Sequence, residues 1–165
     1  MISAAGMGDA SGHRIPGGRF FLDSTWYLLA KTGTLAHQRW AAMLADFDVN
    51  PSHYKVLMTL SETGPVGQQR LAELIGVDPR NTVPIVEALV ERGLIDRAVD
   101  PADRRRRVLD LTATGRGIAR ELASVGTEIE RDILRPLSPA DQARLRDMML
   151  AILDGSGGAI RRPEA

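Results

Sequence analysis

Asp100-Pro101-Ala102-Asp103-Arg104-Arg105-Arg106-Arg107-Val108-Leu109-Asp110-Leu111-Thr112-Ala113-Thr114-Gly115 is the stretch on which the fold turns. Leu94-Ile95-Asp96-Arg97-Ala98-Val99 precedes it, and this run and Arg107–Leu111 both read as short strands. The proline, the two aspartates and the polar residues between them suit a turn, so the pair predicts a β-hairpin with an extended basic tip. Four consecutive arginines are in most proteins only a solvated face, so the neighbouring segments decide what they mean.

Upstream, the period becomes helical. Gln68–Ile75 turns Leu71, Leu74 and Ile75 inward and ends at Gly76, where a left-handed residue is needed. Only Val77 and Asp78 separate it from a second helix. Asp78 suits the N-cap, Pro79 the first turn, and Val83, Val86, Leu89 and Val90 the buried face, with Gly93 at the end. Two helices joined by so tight a turn form a helix-turn-helix. Before them, Thr63–Gly67 is a turn, and a short helix capped by Asn50 starts at Pro51 and ends near Glu62. One long helix is expected from Phe20 to about Asp46, with Leu22, Trp26, Leu29, Leu35 and Trp40 on its apolar stripe.

Downstream of the hairpin, Thr112 caps a helix carrying Ile118, Leu122, Val125, Ile129 and Ile133, and Pro136 stops it. Ser138-Pro139-Ala140-Asp141 opens the last helix, whose apolar positions are Leu145, Met148, Met149, Ile152 and Leu153. Residues 1–19 read as a flexible leader and 156–165 as a disordered tail.

Composition narrows the function classes. The chain has 165 residues, 44% hydrophobic and 25% charged, which fits one globular domain with a real core. There is no cysteine, and His13, His37 and His53 are too scattered for a metal site, so neither metal nor cofactor is expected. No apolar run is long enough to span a bilayer and the N-terminus lacks a secretion signal, which makes the cytoplasm the default location. No catalytic triad order, phosphate-binding glycine loop or supported carboxylate pair appears, so no enzyme and no catalytic residue is expected. Formal net charge is zero, so any affinity for nucleic acid depends on where the charges sit.

The order helix-turn-helix, hairpin, long helix, capped helix resembles the multiple-antibiotic-resistance regulator (MarR) family. The matching residues are Asp100-Pro101-x-Asp103-Arg104-Arg105 followed by Leu111-Thr112-x-x-Gly115. Leu71-Ala72-Glu73-Leu74-Ile75-Gly76-Val77 and Leu89-x-x-Arg92-Gly93-Leu94-Ile95 support it, and the resemblance spans residues 20 to 155. It implies a mainly α fold with a small β-hairpin: a winged helix-turn-helix over 51–111 and interlocking dimerisation helices over 20–50 and 112–155. The partners implied are a second copy of the chain, a pseudo-palindromic double-stranded operator and a small effector. The helices outside 51–111 independently carry more apolar surface than one small winged domain can bury.

The functional candidates follow. In the first turn of the recognition helix, periodicity exposes Arg80, Asn81 and Thr82; arginine can read guanine and asparagine adenine. Pro84 departs from the family, where the matching position is commonly basic or polar; it offers no donor and is expected to disturb the helix. The resemblance assigns Asp103 to an ion pair that holds the wing and Arg105 to the minor groove, where narrow A·T tracts favour arginine. Arg104, Arg106 and Arg107 are phosphate candidates, as are Gln68, Gln69 and Arg70 at a helix N-terminus. Relatives commonly bind anionic aromatic molecules, which makes Trp26, His37, Trp40 and His53 candidate effector contacts. A DNA-binding repressor is the expectation; neutral charge and Pro84 keep a protein-binding winged helix as the alternative.

Overall fold

The computed structural model describes residues 19–99 and 107–155, excepting the side chains of Arg19 and Phe20. The order is α1 (Arg19–Leu22), α2 (Thr25–Asp46), α3 (Pro51–Thr63), α4 (Gln68–Ile75), α5 (Pro79–Glu91), β1 (Ile95–Val99), β2 (Arg107–Leu111), α6 (Ala113–Leu134) and α7 (Pro139–Gly155). It is mainly α with a two-stranded antiparallel hairpin, a winged helix-turn-helix with long flanking helices. The chain divides into two compact units, residues 1–37 and 38–165.

The expected single helix from Phe20 to Asp46 is two. A bend at Asp23 and a non-helical Ser24 separate α1 from α2. Ser24 has a physical reason to stop the first and start the second: short hydroxyl side chains compete for backbone groups and favour helix starts. Within residues 1–37 the rings of Phe21 and Trp26 pack around Tyr27, with centroids 4.9 and 5.9 Å from it. Leu22, Trp26, Leu28, Leu29 and Leu35 nevertheless stay exposed, Trp26 at 67%.

In residues 38–165 the helix boundaries obey their caps. Asn50 Oδ1 accepts the His53 backbone N–H at 2.8 Å, with Pro51 next in line. Asp78 Oδ1 accepts the Arg80 N–H at 2.8 Å, and Gly76 closes α4 in the left-handed region at φ 68°. Thr112 Oγ1 accepts the Gly115 N–H at 2.9 Å and donates to the Gly93 carbonyl at 2.7 Å. One residue thus caps α6 and ties its start to the end of α5. Each such cap contributes about 1 kcal/mol.

Val56, Leu57, Leu60, Leu71, Val86, Leu89, Ile95, Leu109 and Leu122 form the core on which α3, α4, α5, the hairpin and α6 close. β1 and β2 pair with Ile95 opposite Leu111 and Val99 opposite Arg107. On the other edge of β2, Leu109 exchanges both backbone hydrogen bonds with Val66, at 2.8 and 3.1 Å, so the turn before α4 adds a one-residue third strand. Gly115 lets α6 lie directly on the backbone of Leu94: a Cβ there would stand 2.0 Å from the Leu94 carbonyl oxygen. By contrast α7 buries none of its residues, and Met148, Met149, Ile152 and Leu153 are exposed. Among the described residues, no helix is long and apolar enough to cross a membrane.

Candidate nucleic-acid interface

The turn from Gly76 to Asp78 presents the first turn of α5 to solvent. Arg80 and Asn81 are exposed, and the Asp78 cap fixes the backbone from which Arg80 departs. Thr82 corrects the expectation set by periodicity. It is fully buried at 0% exposure, and its hydroxyl donates to the Asp78 carbonyl at 3.1 Å. Its methyl joins the apolar side while its oxygen finds a backbone partner, so the side chain faces the core and cannot reach a base. Val83 errs in the opposite direction: expected inside, it is 42% exposed. Val86 and Leu89 are inside as expected, and Thr82 rather than Val83 continues their inward face. Pro84 lies exposed inside α5, and the helix runs unbroken from Pro79 to Glu91 around it.

At the start of α4, Gly67 supplies no side-chain cap, which leaves first-turn N–H groups open to an acceptor from outside. Gln69 and Arg70 are exposed there and Gln68 is half-buried. Arg70 Nη1 is 3.1 Å from Glu73 Oε2, an exposed pair from which a phosphate could recruit the guanidinium. Arg107 is exposed at the start of β2. Asp103, Arg104, Arg105 and Arg106 lie outside the described residues.

Two ion pairs that sequence reasoning missed join α5 and the residue after it to other elements. Arg97 on β1 pairs with Glu87 on α5, a half-exposed contact that ties the strand to the helix. Arg92, one residue past α5, donates to the Asp48 carbonyl at 2.6 Å and stands 3.4 Å from its carboxylate. Asp48 accepts this in a left-handed conformation, φ 51°, that aspartate tolerates better than most residues. Arg92 was visible in Leu89-x-x-Arg92-Gly93-Leu94-Ile95, but its partner sits 44 positions away and no spacing could reveal it.

The candidate effector residues part company. Trp40 lines an open cleft of about 370 Å³ with Met43, Tyr54, Met58, Ile129 and Glu130. The Trp40 and Tyr54 rings stand at 86° with centroids 5.8 Å apart. Burial first, and then the Glu62 carboxylate, push the Tyr54 phenol above its ordinary pKa, so it stays protonated and polar but uncharged. Among the described residues Glu130 is the one charged side chain lining this cleft. That is the wrong sign for an anionic ligand, and the expected ligand charge finds no support there. His53 does not line the cleft. Its Nε2 lies 3.2 Å from Asn50 Nδ2, which can only donate, so the proton of the neutral ring sits on Nδ1. That atom is buried and lacks a hydrogen-bond partner among the described residues. Burial, then the positive charge of Arg92, lower the His53 pKa below 6.5, against a smaller raising effect of Asp48. Trp26 and His37 are exposed residues of the 1–37 unit.

Comparison with known proteins agrees with this geometry. The MarR family model matches residues 49–106. The uncharacterized HTH-type transcriptional regulator YcgE of Bacillus subtilis is 32% identical over 124 residues, 73% of this chain and 71% of that one. A probable transcriptional regulator from Pseudomonas aeruginosa superposes with a TM-score of 0.59 at 34% identity, covering 79% of this chain and 97% of that one. CouR from Rhodococcus jostii, in a structure bound to p-coumaroyl-CoA, gives a TM-score of 0.65 at 26% identity over 80% of this chain and 93% of its own. Curated relatives are matched over 58% to 92% of their own length.

Proposed function

The chain belongs to the MarR family of transcriptional regulators, and on that footing we propose that it represses transcription as a homodimer bound to a pseudo-palindromic operator. As a regulator it is not an enzyme. The observation that carries the proposal is the capped, uncovered first turn of α5, with Arg80 and Asn81 exposed at the start of a continuous helix. A helix of this kind fits the major groove and reads bases with its N-terminal residues. Gln68, Gln69 and Arg70 contact phosphate. In the wing, Asp103 holds Arg105 for the minor groove, and Arg104, Arg106 and Arg107 lie against the backbone.

The exposed apolar faces of α2 and α7 support the homodimer. Each would be an aggregation liability in a monomer, and a second copy covers both without any further partner. A small ligand releases the operator. The Trp40–Tyr54 cleft is its site, an aromatic body its expected chemistry, and the p-coumaroyl group carried by CouR's ligand is a precedent for that body. The protein acts in the cytoplasm, where its operator is.

Fluorescence anisotropy on operator-sized duplexes tests the reading. Binding should weaken steeply with salt, and Arg105→Ala should weaken it at least tenfold without changing thermal stability. Absence of binding at low salt would instead support a winged helix that docks on protein.

A further inference from the structure

Resting on the reading of α5 as the helix that enters the major groove, we infer that Pro84, flanked by Val83, reads the 5-methyl groups of thymine. Thr82, Val86 and Leu89 define the inward face of α5. At 3.6 residues per turn, Pro84 stands nearly opposite Val86, at the middle of the outward face and one turn beyond Arg80. Glu87, the next polar side chain along, is held by Arg97 of β1. Between Arg80–Asn81 and that ion pair, the exposed face therefore offers a pyrrolidine ring and the methyls of Val83.

The chemistry of the groove selects what such a surface can meet. Guanine, adenine and cytosine present only donors and acceptors there, whereas thymine adds a methyl group. A polar edge pressed against Pro84 would lose its water and gain no hydrogen bond, because proline has neither a side-chain donor nor a backbone N–H. Thymine's methyl loses nothing and buries apolar surface. Thr82, which in an outward position would have supplied a hydroxyl to this stretch, is buried. Pro84 thus works in two directions: it rewards thymine and penalises the bases whose polar edges it would dry out. What first reads as a loss of recognition becomes a preference.

Deoxyuridine, which lacks only this methyl, gives the test. The full chain first selects duplexes from a random-sequence pool, and each thymine of the selected site is then replaced singly. At one or more thymines per half-site, anisotropy should show binding weakened about fourfold, the equivalent of ~0.8 kcal/mol for one buried methyl. In Pro84→Ser, which relieves a helix-interior proline and so does not endanger folding, that discrimination should vanish, the two losses being non-additive. Deoxyuridine tolerated at every position would overturn the inference while leaving DNA binding intact. So would a uridine effect undiminished in both Pro84→Ser and Val83→Ser, since the methyl would then act through the shape of the DNA. Failure to enrich any sequence would overturn the DNA-binding proposal itself.

Discussion

Replacing Gly115 by alanine should unfold this protein far more readily than any comparable change in α6. The added Cβ would lie 2.0 Å from the carbonyl oxygen of Leu94, 3.0 Å from its carbonyl carbon and 3.3 Å from Leu111 Cδ2. A carbon needs about 3.3 Å from a carbonyl oxygen, so the two backbones must part by roughly 1.3 Å. The Leu94 oxygen cannot yield cheaply, because it accepts the Thr112 N–H at 3.0 Å. Overpacking of this kind costs about 1–3 kcal/mol, and a stretched backbone hydrogen bond adds about 1 more. A loss of ~2–4 kcal/mol lowers the melting temperature of a chain this size by roughly 10 °C. Circular dichroism melts at fixed protein concentration measure it. Gly117→Ala in the same helix is the control: a Cβ there meets nothing within 4 Å, so the exchange should stabilise by about 0.5–1 kcal/mol. Melting of Gly115→Ala within a degree or two of the parent would refute the close approach of α6 to Leu94.

Other perturbations probe other links. Thr112→Val keeps the shape but removes both the α6 cap and the bond to the Gly93 carbonyl, and urea titration should find it destabilised by roughly 1–2 kcal/mol. Arg80→Ala or Asn81→Ala should weaken operator binding by about 1–3 kcal/mol, with the melting temperature unchanged because both side chains are exposed. A depressed folded-state pKa at His53 means that the unfolded chain takes up the proton first. Its contribution to stability should be complete above pH 6.5 and fall as the pH drops below it; stability curves of His53→Gln should be flatter on the acid side, and parallel curves would count against the burial of the ring. Met149→Glu on the exposed face of α7 should shift the protein from dimer to monomer in sedimentation velocity.

What the sequence made legible was local. Asn50, Asp78 and Thr112 announce helix starts because a cap bonds within three residues of itself, and Gly76 and Gly93 announce ends because their φ is positive in a way few other residues accept. The hairpin and its flanking α6 were legible for the same reason. Periodicity was coarser: it put Thr82 outside and Val83 inside, since a helix's apolar stripe is about as wide as one residue's angular step, and polarity tipped the choice wrongly. Ser24 was hidden because a single helical turn followed by a long helix with the same apolar pattern looks like one longer helix. The partners of Val66, Arg92 and Glu87 carried no signal, since each belongs to another element. Of the candidate site, the exposure of Arg80 and Asn81 was legible and the sign of the cleft's charge was not, because Glu130 joins Trp40 and Tyr54 only in three dimensions.

The two hydrogen bonds between Val66 and Leu109 have a consequence for measurement. They join β2 to a residue two positions ahead of α4, while Arg97 and Glu87 join β1 to α5. Tied on both sides in this way, β1, β2 and α5 stand like the jaws of a calliper. On the DNA-binding reading proposed above, it would gauge the distance between a major groove and the adjoining minor groove, and an over- or underwound duplex should bind less well even when every base is correct.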